Sequence, residues 1–186
     1  LIGSETTTHS IHASNTSGAS FVRGIAATAK SPHASIRHNV IANLTHSGTS
    51  TTGSNNQVVG IWLDSRTDSW FPEVSGNIIR NLESSSRSNS GGIANSAIIG
   101  IAMQHTPYPS VISDNLIHSF LLRAPTQAVH ADAVVIAGSA TSGPRIIARN
   151  FIHSLDVVSG NNSATIRGIS LRGGPTQVIN NMVRLG

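Results

Sequence analysis

The sequence predicts an all-β solenoid, in which short parallel strands stack at one turn per repeat. Three observations predict it. Five decapeptides align without gaps, and each carries Asn at its fifth place. A second short apolar element precedes each of them. Length differences between units fall in stretches rich in Ser, Thr, Gly and Asn, as expected when surface loops vary on a fixed framework.

The decapeptides are "SIRHNVIANL" (35–44), "EVSGNIIRNL" (73–82), "VISDNLIHSF" (111–120), "IIARNFIHSL" (146–155) and "QVINNMVRLG" (177–186). Their shared Asn residues are Asn39, Asn77, Asn115, Asn150 and Asn181, spaced 38, 38, 35 and 31 residues apart. Three places before each Asn stands Ile or Val, and two places after it Ile or Val again. The preceding elements are "VRGIAA" (22–27), "VVGIWL" (58–63), "IIGIAM" (98–103) and "IRGISL" (166–171), with a degenerate "AVVIAG" (133–138) in the fourth unit. These runs are short and β-branched and lack a sustained i, i+3, i+4 pattern, which excludes helical repeats of similar length.

An Asn buried among apolar residues costs about 1–3 kcal/mol if left unpaired. In a solenoid the cost disappears, because the five Asn stack about 4.8 Å apart and hydrogen-bond to one another. They are therefore expected to form a structural ladder at a bend, where Asn would also supply left-handed backbone. The expected organisation is a single domain over 1–186. It has about five coils, a partial first coil at 1–21 and Asn strands centred on 39, 77, 115, 150 and 181. No polar cap is visible at either end, so the chain reads as an uncapped segment of a longer one, whose exposed coil ends would favour aggregation.

Composition narrows the function. Charged residues make up 11% of the chain, less than half the usual share of about 25%. The formal net charge is +4, but the Arg residues are dispersed and aromatic side chains are few, unlike a nucleic-acid surface. There is no Cys, which excludes disulfides and thiolate chemistry. No apolar run approaches the ~18–20 residues of a membrane-spanning helix. The Gly-rich pieces "SNSGGIAN" and "RGGPT" lack the Lys-Ser/Thr and strand-to-helix context of a phosphate loop and read as turns. Asn15, Asn43 and Asn161 fall in N-x-S/T sequons, which arise by chance in so Ser/Thr-rich a chain.

"GI" followed at a distance by I-x-x-N-x-I, coil after coil, resembles the right-handed parallel β-helix repeat family. Pectate lyases, related polysaccharide-degrading enzymes, phage tailspikes and bacterial surface adhesins share that architecture. The closing "GGPTQVINNMVRLG" (173–186) also resembles repeats of large secreted bacterial surface proteins. The resemblance implies right-handed winding, in keeping with the crossover rule for parallel strands. For the enzyme branch it implies carboxylates clustered on neighbouring coils, acting with Ca²⁺ and a base or as general acid and base.

Counting along the repeats sorts the polar residues into columns. Three past the Ile of "GI" come Thr28, Asp64, Gln104, Ala137 and Arg172. Six past the Asn come Thr45, Glu83, Leu121 and Asp156, so Leu121 separates the two acids. One before the Asn come His38, Gly76, Asp114, Arg149 and Asn180, which predicts a stacked Asp114–Arg149 ion pair. The local acidic cluster Asp64, Asp68 and Glu73 has no partner on the next coil. No catalytic residue is assigned. Three past the Asn come Ala42, Arg80, His118, His153 and Arg184, with His12 counted into the same place of the first coil. Two imidazoles are too few for tetrahedral zinc, and the flanking Arg residues would repel a cation. Arg80, His118, His153 and Arg184 therefore read as an outward basic stripe that contacts solvent, an anionic polymer or a partner. No metal or cofactor is expected.

The expected function is that of a non-enzymatic structural or adhesive segment of a larger surface or filament protein, extracellular or at the cell surface of a bacterium. Its partners would be the rest of a longer chain, or identical subunits stacked at the coil ends. The alternative is a polysaccharide lyase or hydrolase, or a carbohydrate-binding β-helix, with Trp62, Trp70 and Tyr108 stacking on sugar.

Overall fold

The computed structural model describes residues 1–16, 18–28, 33–48, 56–64, 71–85, 96–104, 109–123, 129–138, 143–158 and 164–185. Among these there are strands and turns and no helix. A short strand, β1 (Ile11–Ala13), comes first. Then follow β2 (Ser20–Ala27), β3 (His33–Arg37) and β4 (Val40–His46), and after them β5 (Asn56–Asp64), β6 (Phe71–Ser75) and β7 (Ile78–Ser84). The next group is β8 (Ser96–Gln104), β9 (Ser110–Ser113) and β10 (Leu116–Arg123), followed by β11 (His130–Ala137), β12 (Arg145–Ala148) and β13 (Phe151–Val158). The last is β14 (Thr165–Arg172), β15 (Thr176–Ile179) and β16 (Met182–Arg184).

Each group of three lays one strand on each of three parallel sheets. Sheet A runs β1-β4-β7-β10-β13-β16, sheet B runs β14-β11-β8-β5-β2 and sheet C runs β15-β12-β9-β6-β3. The result is a parallel β-solenoid of about four turns. The Asn count predicts about five coils, but five rungs enclose only four complete steps. Each decapeptide is not one strand: it folds at its fourth and fifth residues, so that residues 35–37 lie on sheet C and residues 40–44 on sheet A.

The interior is built from like residues stacked on like. Ile41, Ile79, Ile117 and Ile152 form one file, and Leu44, Leu82, Phe120 and Leu155 the next, both on sheet A. Ile36, Val74, Ile112 and Ile147 face them from sheet C. Burying each such side chain is worth about 1.5–3 kcal/mol. Sheet B is buried on both faces over β5, β8 and β11. Val59, Trp62, Ile99, Ala102 and Val135 form a second apolar cluster there. That double burial explains why "VVGIWL" and "IIGIAM" read as continuous apolar runs rather than alternating ones. In the last turn, Val178 and Val183 are 47% and 42% exposed, whereas Ile147 and Ile152 one coil earlier are wholly buried.

The Gly of "GI" answers to a close approach. A Cβ on Gly60 would lie 2.6 Å from the Gly100 carbonyl oxygen and 2.7 Å from Ile79 Cγ2. Gly24 and Gly100 are equally confined. The strand register steps over this residue, with Val59 and Ile61 pairing with Ile99 and Ile101. In the fourth unit Ala133 holds the place, since its neighbour Val134 pairs with Ile101 and Ile169. One methyl can therefore be housed in the file. Gly60→Ala is expected to cost about 1–3 kcal/mol, measured as a lower urea midpoint with an unchanged slope. A wild-type midpoint would show that this close approach is relaxed without cost.

Candidate functional site

The five predicted Asn residues occupy the corner between sheets C and A. Asn77, Asn115 and Asn150 are wholly or almost wholly buried, and Asn39 and Asn181 are half-buried. The Asn115 backbone N–H and its Nδ2 donate to Asn150 Oδ1 at 3.1 and 2.9 Å. Asn39, Asn77 and Asn150 repeat the pair of bonds onto Asn77, Asn115 and Asn181 at 2.9–3.0 Å. Nδ2 also reaches back to a main-chain carbonyl of the preceding coil, as from Asn77 to Ile36 at 2.9 Å and from Asn115 to Val74 at 3.0 Å. Both lone pairs and both N–H bonds of the interior amides are thus used.

The Asn is not the residue in left-handed backbone. That conformation belongs to the residue before it, with φ of 55° at His38, 64° at Gly76, 59° at Asp114, 55° at Arg149 and 54° at Asn180. The reason is geometric. Asn39, Asn77, Asn115 and Asn150 each donate their own backbone N–H along the stack, so the preceding residue must absorb the turn. In that same column Arg149 Nε and Nη2 grip Asp114 Oδ1 and Oδ2 at 2.7 and 2.8 Å. The hydrogen bonds from Arg149 and Ser113 hold the Asp114 carboxyl below its ordinary range. Both side chains stand in water, so the pair adds little to stability.

Sheet A contains a second kinked column, made by Asn43, Asn81, Ser119 and Ser154, all with φ of 54–59°. Asn81 Nδ2 donates to Asn43 Oδ1 at 3.1 Å. Its signal is Asn or Ser four places after each of the first four ladder Asn, which counting the apolar positions alone passes over. Asn43 is buried, and its amide donates to the Ser4 carbonyl, so this sequon is closed to modification. Asn161 lies outside the described residues.

Arg80, His118, His153 and Arg184 form one register column on sheet A, with Ala42 one coil before Arg80. The imidazoles of His118 and His153 stack face to face, with centroids 4.8 Å apart and planes 7° from parallel. Ser119 Oγ and Ser154 Oγ meet their Nδ1 atoms at 2.8 and 2.9 Å. Burial pushes the His118 imidazole below its ordinary value, and the charges of His153 and Arg80 act in the same direction. His12 is not in this column. It pairs with Thr45, because the chain leaves the sheet after Ile2, which bridges Ile41, and re-enters at Ile11 opposite Leu44. Counting back from the later repeats misses that excursion.

Four of the acids are engaged with Arg residues across coils. Glu73 pairs with Arg37 and accepts from Ser75 Oγ, and Glu83 accepts from Arg123 Nε at 3.1 Å. Asp132 is wholly buried on the outer side of sheet B and meets Arg167 Nε and Nη2 at 2.6 and 2.8 Å. Ser96 Oγ donates to the same carboxylate. Sequence reasoning missed this triad, although Asp132 and Arg167 are register neighbours like Asp114 and Arg149. Arg145, also buried, donates to the carbonyls of Gly138 and Gly173 at 2.8–3.1 Å and braces two adjacent turns.

Trp62 belongs to the apolar cluster on sheet B, with the Arg23 guanidinium 4.1 Å above its ring. That face is unavailable to a sugar. Trp70, Tyr108 and Asp68 lie outside the described residues. Two adjoining hollows of about 300 and 410 Å³ lie along sheet A, lined by His9, Thr45 and Glu83, with Asn43 and Asn81 in one and His12 and His46 in the other. Among the described residues no three His, Asp or Glu side chains converge to hold a metal ion. Among the same residues no helix is long and apolar enough to cross a membrane. No family model, curated protein or solved structure matches the chain.

Proposed function

We propose that the chain is a structural or adhesive segment of a larger extracellular or surface-anchored bacterial protein, of the right-handed parallel β-helix kind. The observation that supports this reading is the use made of its carboxylates. Glu73, Glu83, Asp114 and Asp132 each face an Arg one coil away. A hydrolase or lyase needs acids converging on one open site. Here these acids are each taken up by an Arg of the adjacent coil instead of being gathered at one site. The adhesive reading favours sheet A, whose register columns are the most regular polar surface described. The test is to incubate the full-length protein with acidic polysaccharides and follow the absorbance of unsaturated products and the release of reducing ends. No turnover is expected; clear turnover overturns the proposal.

A further inference from the structure

We propose that the outer face of sheet A binds a linear anionic glycan laid along the solenoid axis, more tightly in mild acid; this rests on the adhesive reading above. Two columns carry the inference. The first is Arg80, His118, His153 and Arg184, four cationic or titratable groups in register at the strand spacing of about 4.8 Å. The second runs beside it, two residues earlier on each strand: Ile78, Leu116, Phe151 and Met182. Phe151 is 40% and Met182 63% exposed, and the Phe151 ring lies 4.7 Å from the His153 imidazole. A basic rail beside an apolar rail matches a polymer with anionic groups along one edge and C–H-rich ring faces alongside. A polyanion without rings, such as polyphosphate, would use only the basic rail.

Protonation sets the strength of the basic rail. At pH 8 it carries the two Arg charges, and acid adds that of His118, whose imidazole is held below its ordinary value first by burial and then by the charges of His153 and Arg80. In the free protein the stacked imidazoles and Arg80 oppose that gain, and an anion lying over them relieves the repulsion. Nearby charges do not cancel the rail. Glu83 is occupied by Arg123, and Asp156 lies beyond the kink at Ser154, in the column of Thr45, Glu83 and Leu121. At the first edge of the sheet, His9 and His12 face Thr45 and Ser47 and add no acid. Ile117, Phe120 and Leu122, on the inner face, are apolar.

The test is titration of the full-length protein with dextran sulfate, uncharged dextran and polyphosphate at pH 5.5 and pH 8. Dextran sulfate is expected to bind about tenfold more tightly at pH 5.5, with no binding of uncharged dextran and weaker binding of polyphosphate. His118→Ala combined with His153→Ala should abolish the pH dependence, and Arg80→Gln should weaken binding at both pH values. Phe151→Ser should weaken dextran sulfate but not polyphosphate. Arg149→Gln, on the neighbouring corner, should change nothing. Circular dichroism melts of each variant separate lost binding from lost fold. Absent or pH-independent binding of dextran sulfate, polyphosphate binding as tightly, or an unaffected His pair variant overturns the inference. Failure of the adhesive reading looks different, because the polysaccharide is then bound and cleaved.

Discussion

Asn115→Leu is expected to lower the unfolding free energy by about 3–5 kcal/mol, a large effect for a near-isosteric change. The side chain keeps its bulk but removes an acceptor used twice and a donor used twice. The Asn77 backbone N–H loses its partner, the Asn77 amide loses one of its own, and the Val74 carbonyl loses its donor. Each orphan is buried and costs about 1–3 kcal/mol, partly recovered by the apolar contacts of Leu. Asn39→Leu should cost far less, about 1 kcal/mol. Its rung is half in water, and the Asn77 oxygen keeps the bond from the residue 39 backbone N–H. Urea unfolding of the two variants checks the contrast. Equal losses would mean that the change acts through the corner's backbone rather than through the ladder.

The Asp132 network is the second test. Asp132→Ala is expected to cost about 2–4 kcal/mol, because it takes two charge-assisted hydrogen bonds from the Arg167 guanidinium and one acceptor from the Ser96 hydroxyl on the covered side of sheet B. The loss is smaller than for a fully buried pair because Arg167 keeps 28% of its side chain in water. Arg167→Met alone should cost more, since it leaves the fully buried carboxylate with its hydroxyl donor but without its cation. The double variant Asp132→Leu/Arg167→Met should recover most of either loss, within about 1–2 kcal/mol of wild type, if the pair chiefly offsets its own desolvation. A double-mutant cycle measures this. Additive losses would show that each side chain acts through separate neighbours.

The ladder was readable because a lone amide in an apolar setting, repeated at one place per unit, has few other uses. The columns were readable because a parallel stack adds no offset between turns. Counting residues thus placed Asp114 against Arg149 and His118 against His153. The same counting failed at His12, where the segment after Ile2 leaves the sheet, and it missed the triangular cross-section, because a bend inside a decapeptide leaves the apolar pattern intact. Asp132 was hidden for another reason. The burial of an outer sheet face depends on residues far off in sequence, and nothing next to a carboxylate signals that it will be covered. Trp62 is parallel: its ring is claimed by Arg23, 39 residues earlier.

Every rung of the ladder faces the same way. From Asn39 to Asn181, each amide nitrogen but the last gives to the amide oxygen of the coil after it. The side-chain dipoles therefore add head to tail along the axis, as peptide dipoles do in a helix, and each polarises the next. Turning one amide over would place nitrogen against nitrogen on one side and oxygen against oxygen on the other. The five orientations are one collective choice, and the stack behaves as a single aligned electret rather than as five independent hydrogen-bonded pairs.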